Sequence, residues 1–185
     1  MFHMENKLAS IKIDDLFFKP YIAESEIKKQ INVISEKICE EYKDKKPLLL
    51  AILNGSFLFA ADLIRELNID CEITFIKASS YSGTKSTNEL ALTLGPSDDL
   101  KDRNVIIIED IVDSGHSLGV LLPLIESKNP SSIKIASLLF KPSAFKGNFN
   151  VDYIGFEIPN DFIVGYGLDY NGLGRNLKDI YVIES

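Results

Sequence analysis

The stretch Val105-Ile-Ile-Ile-Glu-Asp-Ile-Val-Asp-Ser-Gly-His-Ser-Leu118 decides the reading of this chain. Val105 to Ile108 is a short aliphatic run suited to a strand buried on both faces. Glu109 and Asp110 follow at once. Two adjacent carboxylates there are costly unless solvated or paired, and taken alone the pair marks a solvated strand end. Asp113-Ser114-Gly115-His116-Ser117 then supplies small residues, a glycine and two hydroxyls ahead of the stripe Leu118, Leu121, Leu122 and Ile125, which marks a helix. Backbone N–H groups in such a turn converge on an anion, and the helix N-terminus adds a favourable dipole. A phosphate beside two carboxylates suggests a ribose phosphate: the acids accept from the ribose hydroxyls while the turn holds the 5-phosphate.

Outward from this centre the pattern alternates. Ile27, Ile31, Ile34 and Ile38 recur on one helical face from Ser25 onward. Pro47 to Leu53 is a continuous apolar run that reads as a buried strand, broken by Asn54-Gly55-Ser56. Ala60, Leu63, Ile64 and Leu67 mark a second amphipathic helix, and Cys71 to Ala78 the next strand. Tyr81 to Gly95 is rich in Ser, Thr, Gly and Asn and reads as a long loop, of the kind used as a lid or binding segment. Pro123 falls within the third helix and should bend it or shift its start. Ile133 to Phe140 is a fourth strand, followed by Lys141, which alone reads as a solvated strand end. Tyr153 to Glu157, Phe162 to Gly165 and Ile180 to Ile183 look like short strands. Asp14 to Ile22 reads as irregular, ending near Pro20. Strand, helix, strand, helix in this order predicts an α/β fold, a mostly parallel sheet with helices on both faces. Ligands then lie beyond the carboxyl ends of the strands.

Composition narrows the function. With 185 residues, 45% of them hydrophobic, the chain has enough material for one compact domain with a real core. No apolar run approaches the roughly 20 residues of a membrane span, and Met1 to Ser10 does not read as a signal peptide. Cys39 and Cys71 lack metal-ligand spacing and read as reduced thiols of a cytoplasmic protein. The net charge of -7 disfavours a nucleic-acid surface.

Val105 to Leu118 resembles the phosphoribosyl pyrophosphate signature of type I phosphoribosyltransferases. From about Ser25 to Ile183 the chain is most similar to the hypoxanthine-guanine phosphoribosyltransferases. Leu53-Asn54-Gly55-Ser56 resembles that family's pyrophosphate loop, whose first peptide is strained and sometimes cis. Ser80-Tyr81 resembles the start of its mobile loop, with Ser80 to Thr93 closing over the reacting centre. Gly155 to Pro159 and Phe162 to Tyr170 resemble its C-terminal half.

The resemblance implies a single domain over 1–185, with a core of about 25–141 and a small hood from about 142–185 helped by the N-terminal segment. It implies transfer of the 5-phosphoribosyl group from phosphoribosyl pyrophosphate to hypoxanthine or guanine, giving IMP or GMP and pyrophosphate in purine salvage. Asp113 would take the proton from the purine. Glu109, Asp110, Asp113, Ser114, Gly115, His116 and Ser117 would hold ribose and 5-phosphate. Leu53, Asn54, Gly55 and Arg175 would hold pyrophosphate; Ile111, Lys141, Phe162 and Ile163 the purine. Magnesium would be held by Glu109, Asp110 and Asp169. A homodimer or homotetramer, with no nucleic acid and no membrane, is the implied setting. His116 departs from the lysine of many relatives, and Gly172-Leu173-Gly174 before Arg175 is more flexible than their aromatic-containing version. A xanthine-preferring relative and a nucleic-acid-binding regulator on the same fold are the alternatives.

Overall fold

The computed structural model describes residues 9–77 and 99–184. In chain order the elements are β1 (Ile11–Ile13), β2 (Leu16–Ile22), α1 (Glu24–Glu41), β3 (Leu48–Leu53), α2 (Phe57–Glu66), β4 (Glu72–Lys77), β5 (Asn104–Val112), α3 (His116–Glu126), β6 (Ser132–Phe140), β7 (Tyr153–Glu157), β8 (Ile163–Val164) and β9 (Ile180–Ile183). The chain is α/β. Its main sheet has the order β4-β3-β5-β6-β7, and every neighbouring pair is parallel.

Alternation along the strands sorts the core into two layers. Leu49, Ala51, Ile106 and Ile108 face α1 and α2, where Ile27, Ile31, Ile34, Ile38, Phe59 and Leu63 meet them. Leu48, Leu50, Ile52, Val105 and Ile107 face the other way, onto Leu118, Leu121 and Ile125 of α3. Burying each such side chain stabilises by about 1.5–3 kcal/mol, so the two layers hold the sheet from both sides. Pro123 lies inside α3 without ending it.

Two elements differ from the sequence reading. First, β5 does not stop before the acids. It runs to Val112, with Glu109 opposite Ser137 and Ile111 opposite Leu139 of β6, while its pairing to β3 ends at Ile108. Backbone pairing is indifferent to side-chain polarity, and the nine-residue β6 supplies partners past the apolar run. Second, Asp14 to Ile22 is not irregular. Leu16–Ile22 is a strand between β1 and β9, and it accommodates Pro20 through a register shift between Pro20 and Ile22. A proline inside a sheet is tolerated at such an irregularity.

The second sheet, β1-β2-β9-β8, is antiparallel. Ile22, Ile163, Ile180 and Val182 join the main core, while Phe18, Val164 and Tyr181 share a smaller cluster on its other side. The main sheet changes winding direction between β3, which leads outward to β4, and β5, which leads to β6. Open α/β sheets place their crevice at that switch point. Here the flanking segments are the Leu53-Asn54-Gly55 turn and the last residues of β5. Ser80, Tyr81 and the loop from Tyr81 to Gly95 lie outside the described residues.

Candidate active site

The turn after β5 is closely packed and depends on its glycine. Gly115 has φ +79°, and a Cβ there would come within 2.7 Å of Phe145 and 3.2 Å of Phe149. Both the conformation and the two aromatic neighbours demand glycine. The N–H of Lys146 donates to Ser114 O at 3.1 Å and fixes the turn from outside. The N–H of His116 leans on Ser114 Oγ at 3.4 Å. Backbone bonding of α3 starts with Gly119 N–H to Gly115 O at 2.9 Å. The preceding amides at the helix start have no carbonyl in their own helix, as at any helix N-terminus. His116 and Ser117 are exposed around them.

The acids sit in a tighter place than a solvated strand end. The Glu109 Oε2 atom is fully enclosed and has no hydrogen-bond partner among the described residues. Burial first, then the neighbouring Asp110 charge, push the Glu109 pKa well up. Burial likewise raises Asp110, to about 6, against the pull of the backbone N–H groups of Asp110 and Ile111 and of Arg175. The Asp110 carboxylate also presses on the turn after β3. A Cβ on Gly55 would stand 1.7 Å from Asp110 Oδ2, so only glycine fits. The Leu53–Asn54 peptide in that turn is cis, and Ser56 Oγ donates to Ile52 O at 2.5 Å where the turn enters α2.

Lys141 is likewise not a solvated strand end. It is 6% exposed, and its Nζ donates to Asp113 Oδ2 at 3.1 Å. Its own N–H donates to Val112 O, extending the β5–β6 ladder by one bond so that the side chain faces Asp113. Phe162, at 45% exposure, keeps much of its ring open. Phe18 (centroids 6.2 Å apart) and Tyr170 (5.8 Å, edge-on) steady it. Its carbonyl accepts from Ile183 N–H at 2.9 Å, which ties it to the antiparallel sheet. Ile163 is buried in the main cluster, and the half-buried Ile111 packs against that cluster.

Asp169 and Arg175 face each other at 2.5 Å. Arg175 Nη1 also donates to Gly167 O at 2.7 Å, and Asp169 Oδ2 accepts from Gly172 N–H at 2.7 Å. Glu109, Asp110 and Asp169 therefore do not converge as a three-carboxylate cage; among the described residues no three His, Cys, Asp or Glu side chains do. Magnesium is commonly held by one or two carboxylates, with substrate oxygens and water completing its octahedron. The enclosed, unpartnered Glu109 oxygen and the raised Asp110 are a donor set that a cation would satisfy.

Two features of this region carried no signal of their own in the sequence. Tyr166 is buried and its hydroxyl donates to Asp62 on α2, and Phe145 with Phe149 crowds the turn at Gly115.

Comparison with known proteins agrees with this geometry. Residues 21–171 match the phosphoribosyl transferase domain family. The hypoxanthine phosphoribosyltransferase of Escherichia coli strain K12 is 41% identical over 162 residues, covering 86% of this chain and 91% of the relative. The hypoxanthine-guanine phosphoribosyltransferase of Bacillus subtilis strain 168 is 40% identical over 167 residues, covering 90% and 93%. A crystal structure of a hypoxanthine-guanine phosphoribosyltransferase from Bacillus anthracis superposes with a TM-score of 0.82 at 35% identity, covering 90% of this chain and 97% of that one.

Proposed function

The chain belongs to the phosphoribosyl transferase domain family, and from that premise we propose how its residues divide the work of purine salvage. The enzyme transfers the 5-phosphoribosyl group from phosphoribosyl pyrophosphate to hypoxanthine or guanine, giving IMP or GMP and pyrophosphate. One observation carries the residue assignment: Lys141, buried at the end of β6, meets Asp113, half-exposed at the exit of β5. A group that donates to a 6-oxo oxygen thereby stands beside a group that accepts a ring proton.

In the reaction the bond from the ribose anomeric carbon to pyrophosphate breaks, and a bond to a purine ring nitrogen forms. The anomeric carbon becomes oxocarbenium-like as the leaving charge grows. The Asp113–Ser117 turn and the start of α3 hold the 5-phosphate. Glu109 and Asp110 meet the ribose hydroxyls, the second more directly. The open face of Phe162 stacks on the base opposite Ile111, and Ile163 lines its edge through backbone groups. Lys141 donates to the 6-oxo group, which a 6-amino purine lacks, so adenine is rejected. Asp113 takes the proton from the ring nitrogen. Arg175 and the Leu53-Asn54-Gly55 turn stabilise the departing pyrophosphate. Glu109, Asp110 and Asp169 are the residues that would hold magnesium, together with substrate oxygens and water, and the ion would supply positive charge toward the departing pyrophosphate.

The proposed setting is cytoplasmic, as a homodimer or homotetramer; no helix among the described residues is long and apolar enough to cross a membrane. The test is turnover with phosphoribosyl pyrophosphate against hypoxanthine, guanine, xanthine and adenine, with magnesium and with chelator. IMP or GMP should form only with the metal, adenine should be poor, and xanthine should trail. A preference for xanthine would reassign the substrate, and no product with any base would overturn the reading.

A further inference from the structure

The segment Gly165-Tyr166-Gly167 leads out of β8, and the reaction itself does not account for it. All three residues have positive φ, at 105°, 48° and 100°. A bulky aromatic residue rarely adopts that backbone. The flanking glycines are required by close approach: a Cβ on Gly165 would lie 2.2 Å from Asp179 O, and one on Gly167 would lie 2.1 Å from Gly55 O. Tyr166 is 4% exposed, and its hydroxyl donates to Asp62 Oδ2 at 2.5 Å. Burial and the Asp62 carboxylate both push that hydroxyl's pKa up, which keeps it a donor. Tyr166 N–H donates to Leu177 O at 2.9 Å, and Gly167 N–H donates to Arg175 O at 3.0 Å.

This segment joins two halves of one subsite. Asp62 sits on α2, whose first turn issues from Asn54-Gly55-Ser56. Gly167 rests on the Gly55 carbonyl on one side and holds the Arg175 guanidinium through its own carbonyl on the other. We propose that the Tyr166–Asp62 hydrogen bond is a positioning device for the pyrophosphate subsite. It fixes the separation between the Gly55 turn and the Arg175–Asp169 pair. The inference rests on the reading under which those groups hold pyrophosphate. Tyr166 acts through Gly167, with its hydroxyl committed to α2. Its loss should weaken the donor side and spare the purine side, because Lys141, Asp113 and Phe162 are anchored by other partners.

The test compares the wild-type chain with Tyr166→Phe, Asp62→Asn, Asp62→Leu and the Tyr166→Phe/Asp62→Leu pair. Binding of inorganic pyrophosphate with magnesium is read by titration calorimetry, KM for phosphoribosyl pyrophosphate and for hypoxanthine by steady-state kinetics, and folding by the thermal midpoint. Tyr166→Phe should weaken pyrophosphate binding and raise the donor KM roughly tenfold, as expected for losing a hydrogen bond to a charged group. The hypoxanthine KM should stay near wild type. Asp62→Asn keeps an acceptor and should recover most of the affinity. Asp62→Leu should match Tyr166→Phe, and the pair should be no worse than either. Unchanged pyrophosphate affinity in folded Tyr166→Phe overturns the proposal. Equal loss of pyrophosphate and hypoxanthine affinity also overturns it, since a merely structural role would do that. A wild-type protein that neither binds pyrophosphate nor turns over a purine overturns the parent reading, and this proposal with it. Where the wild type does both, the parent reading stands and the variants alone decide the positioning role.

Discussion

Lys141 and Asp113 meet at 3.1 Å with unequal exposure, the lysine side chain 8% and the aspartate 49% exposed. The lysine is buried at the end of β6, while about half of the aspartate side chain stays exposed. Asp113→Asn preserves an oxygen that can accept from Lys141 and removes the negative charge, and with it the capacity to take a proton. Turnover should fall about 10²- to 10⁴-fold, with the affinity for phosphoribosyl pyrophosphate nearly unchanged. Pre-steady-state and binding measurements check this, and full turnover in the variant would remove the proton-acceptor role.

Lys141→Met keeps the buried stem and deletes the donor. The ratio of kcat/KM for hypoxanthine over adenine should shrink about 10²-fold or more, because hydrogen-bonding sites discriminate far better than apolar ones. A ratio equal to wild type would take the base-recognition role away from Lys141.

Gly55→Ala places a methyl group 1.7 Å from the Asp110 carboxylate. At that distance the Asp110 side chain or the turn must shift. Overpacking of this kind typically costs about 1–3 kcal/mol in stability, and a shift of the acid on that scale should lower activity by at least about 10²-fold. Circular dichroism establishes whether the variant folds; a folded Gly55→Ala enzyme with wild-type kinetics would show that the contact between turn and acid is irrelevant.

Away from the site, Glu41 accepts from Tyr153 Oη at 2.5 Å and from Lys134, which is 2.9 Å from its other oxygen. The hydrogen bond from Tyr153, then that from Lys134, hold its carboxyl below the usual 4.5. A folded pKa below the unfolded one gives stability that is present above the unfolded pKa and lost as pH falls through the folded value. Glu41→Gln should therefore lower the thermal midpoint at neutral pH. The gap from wild type should close as pH falls below 4.5. A gap that stays constant from neutral pH down to about pH 3 would exclude a charge-dependent role for Glu41.

The parts legible in the sequence were those whose cause is local. The α1 stripe of four isoleucines, the apolar run of β3 and the small residues of the turn after β5 each carry their own periodicity or conformational demand. Their order was enough for a parallel α/β sheet. The parts that stayed hidden depend on distant partners. β5 extends through its acids because β6, which comes after the whole of α3, offers a ladder. Pro20 masked β2, whose neighbour β9 begins at Ile180. Lys141 looked solvated because nothing nearby in the chain announces Asp113 as its partner, 28 residues earlier. The Tyr166–Asp62 bond spans 104 residues and has no periodic trace at all.

The pairing of β2 with β9 brings Phe18 beside Ile183. During synthesis, β3 to β7 can assemble before the last strand is made, since their pairing partners all lie between Leu48 and Glu157. The strand that precedes them must wait, unpaired on one edge, until Ile180–Ile183 has been made. A nascent chain halted before that point would carry a finished turn after β5 but no second sheet. Competence for catalysis would then arrive in a single late step, and a stalled product would remain inert toward its substrates.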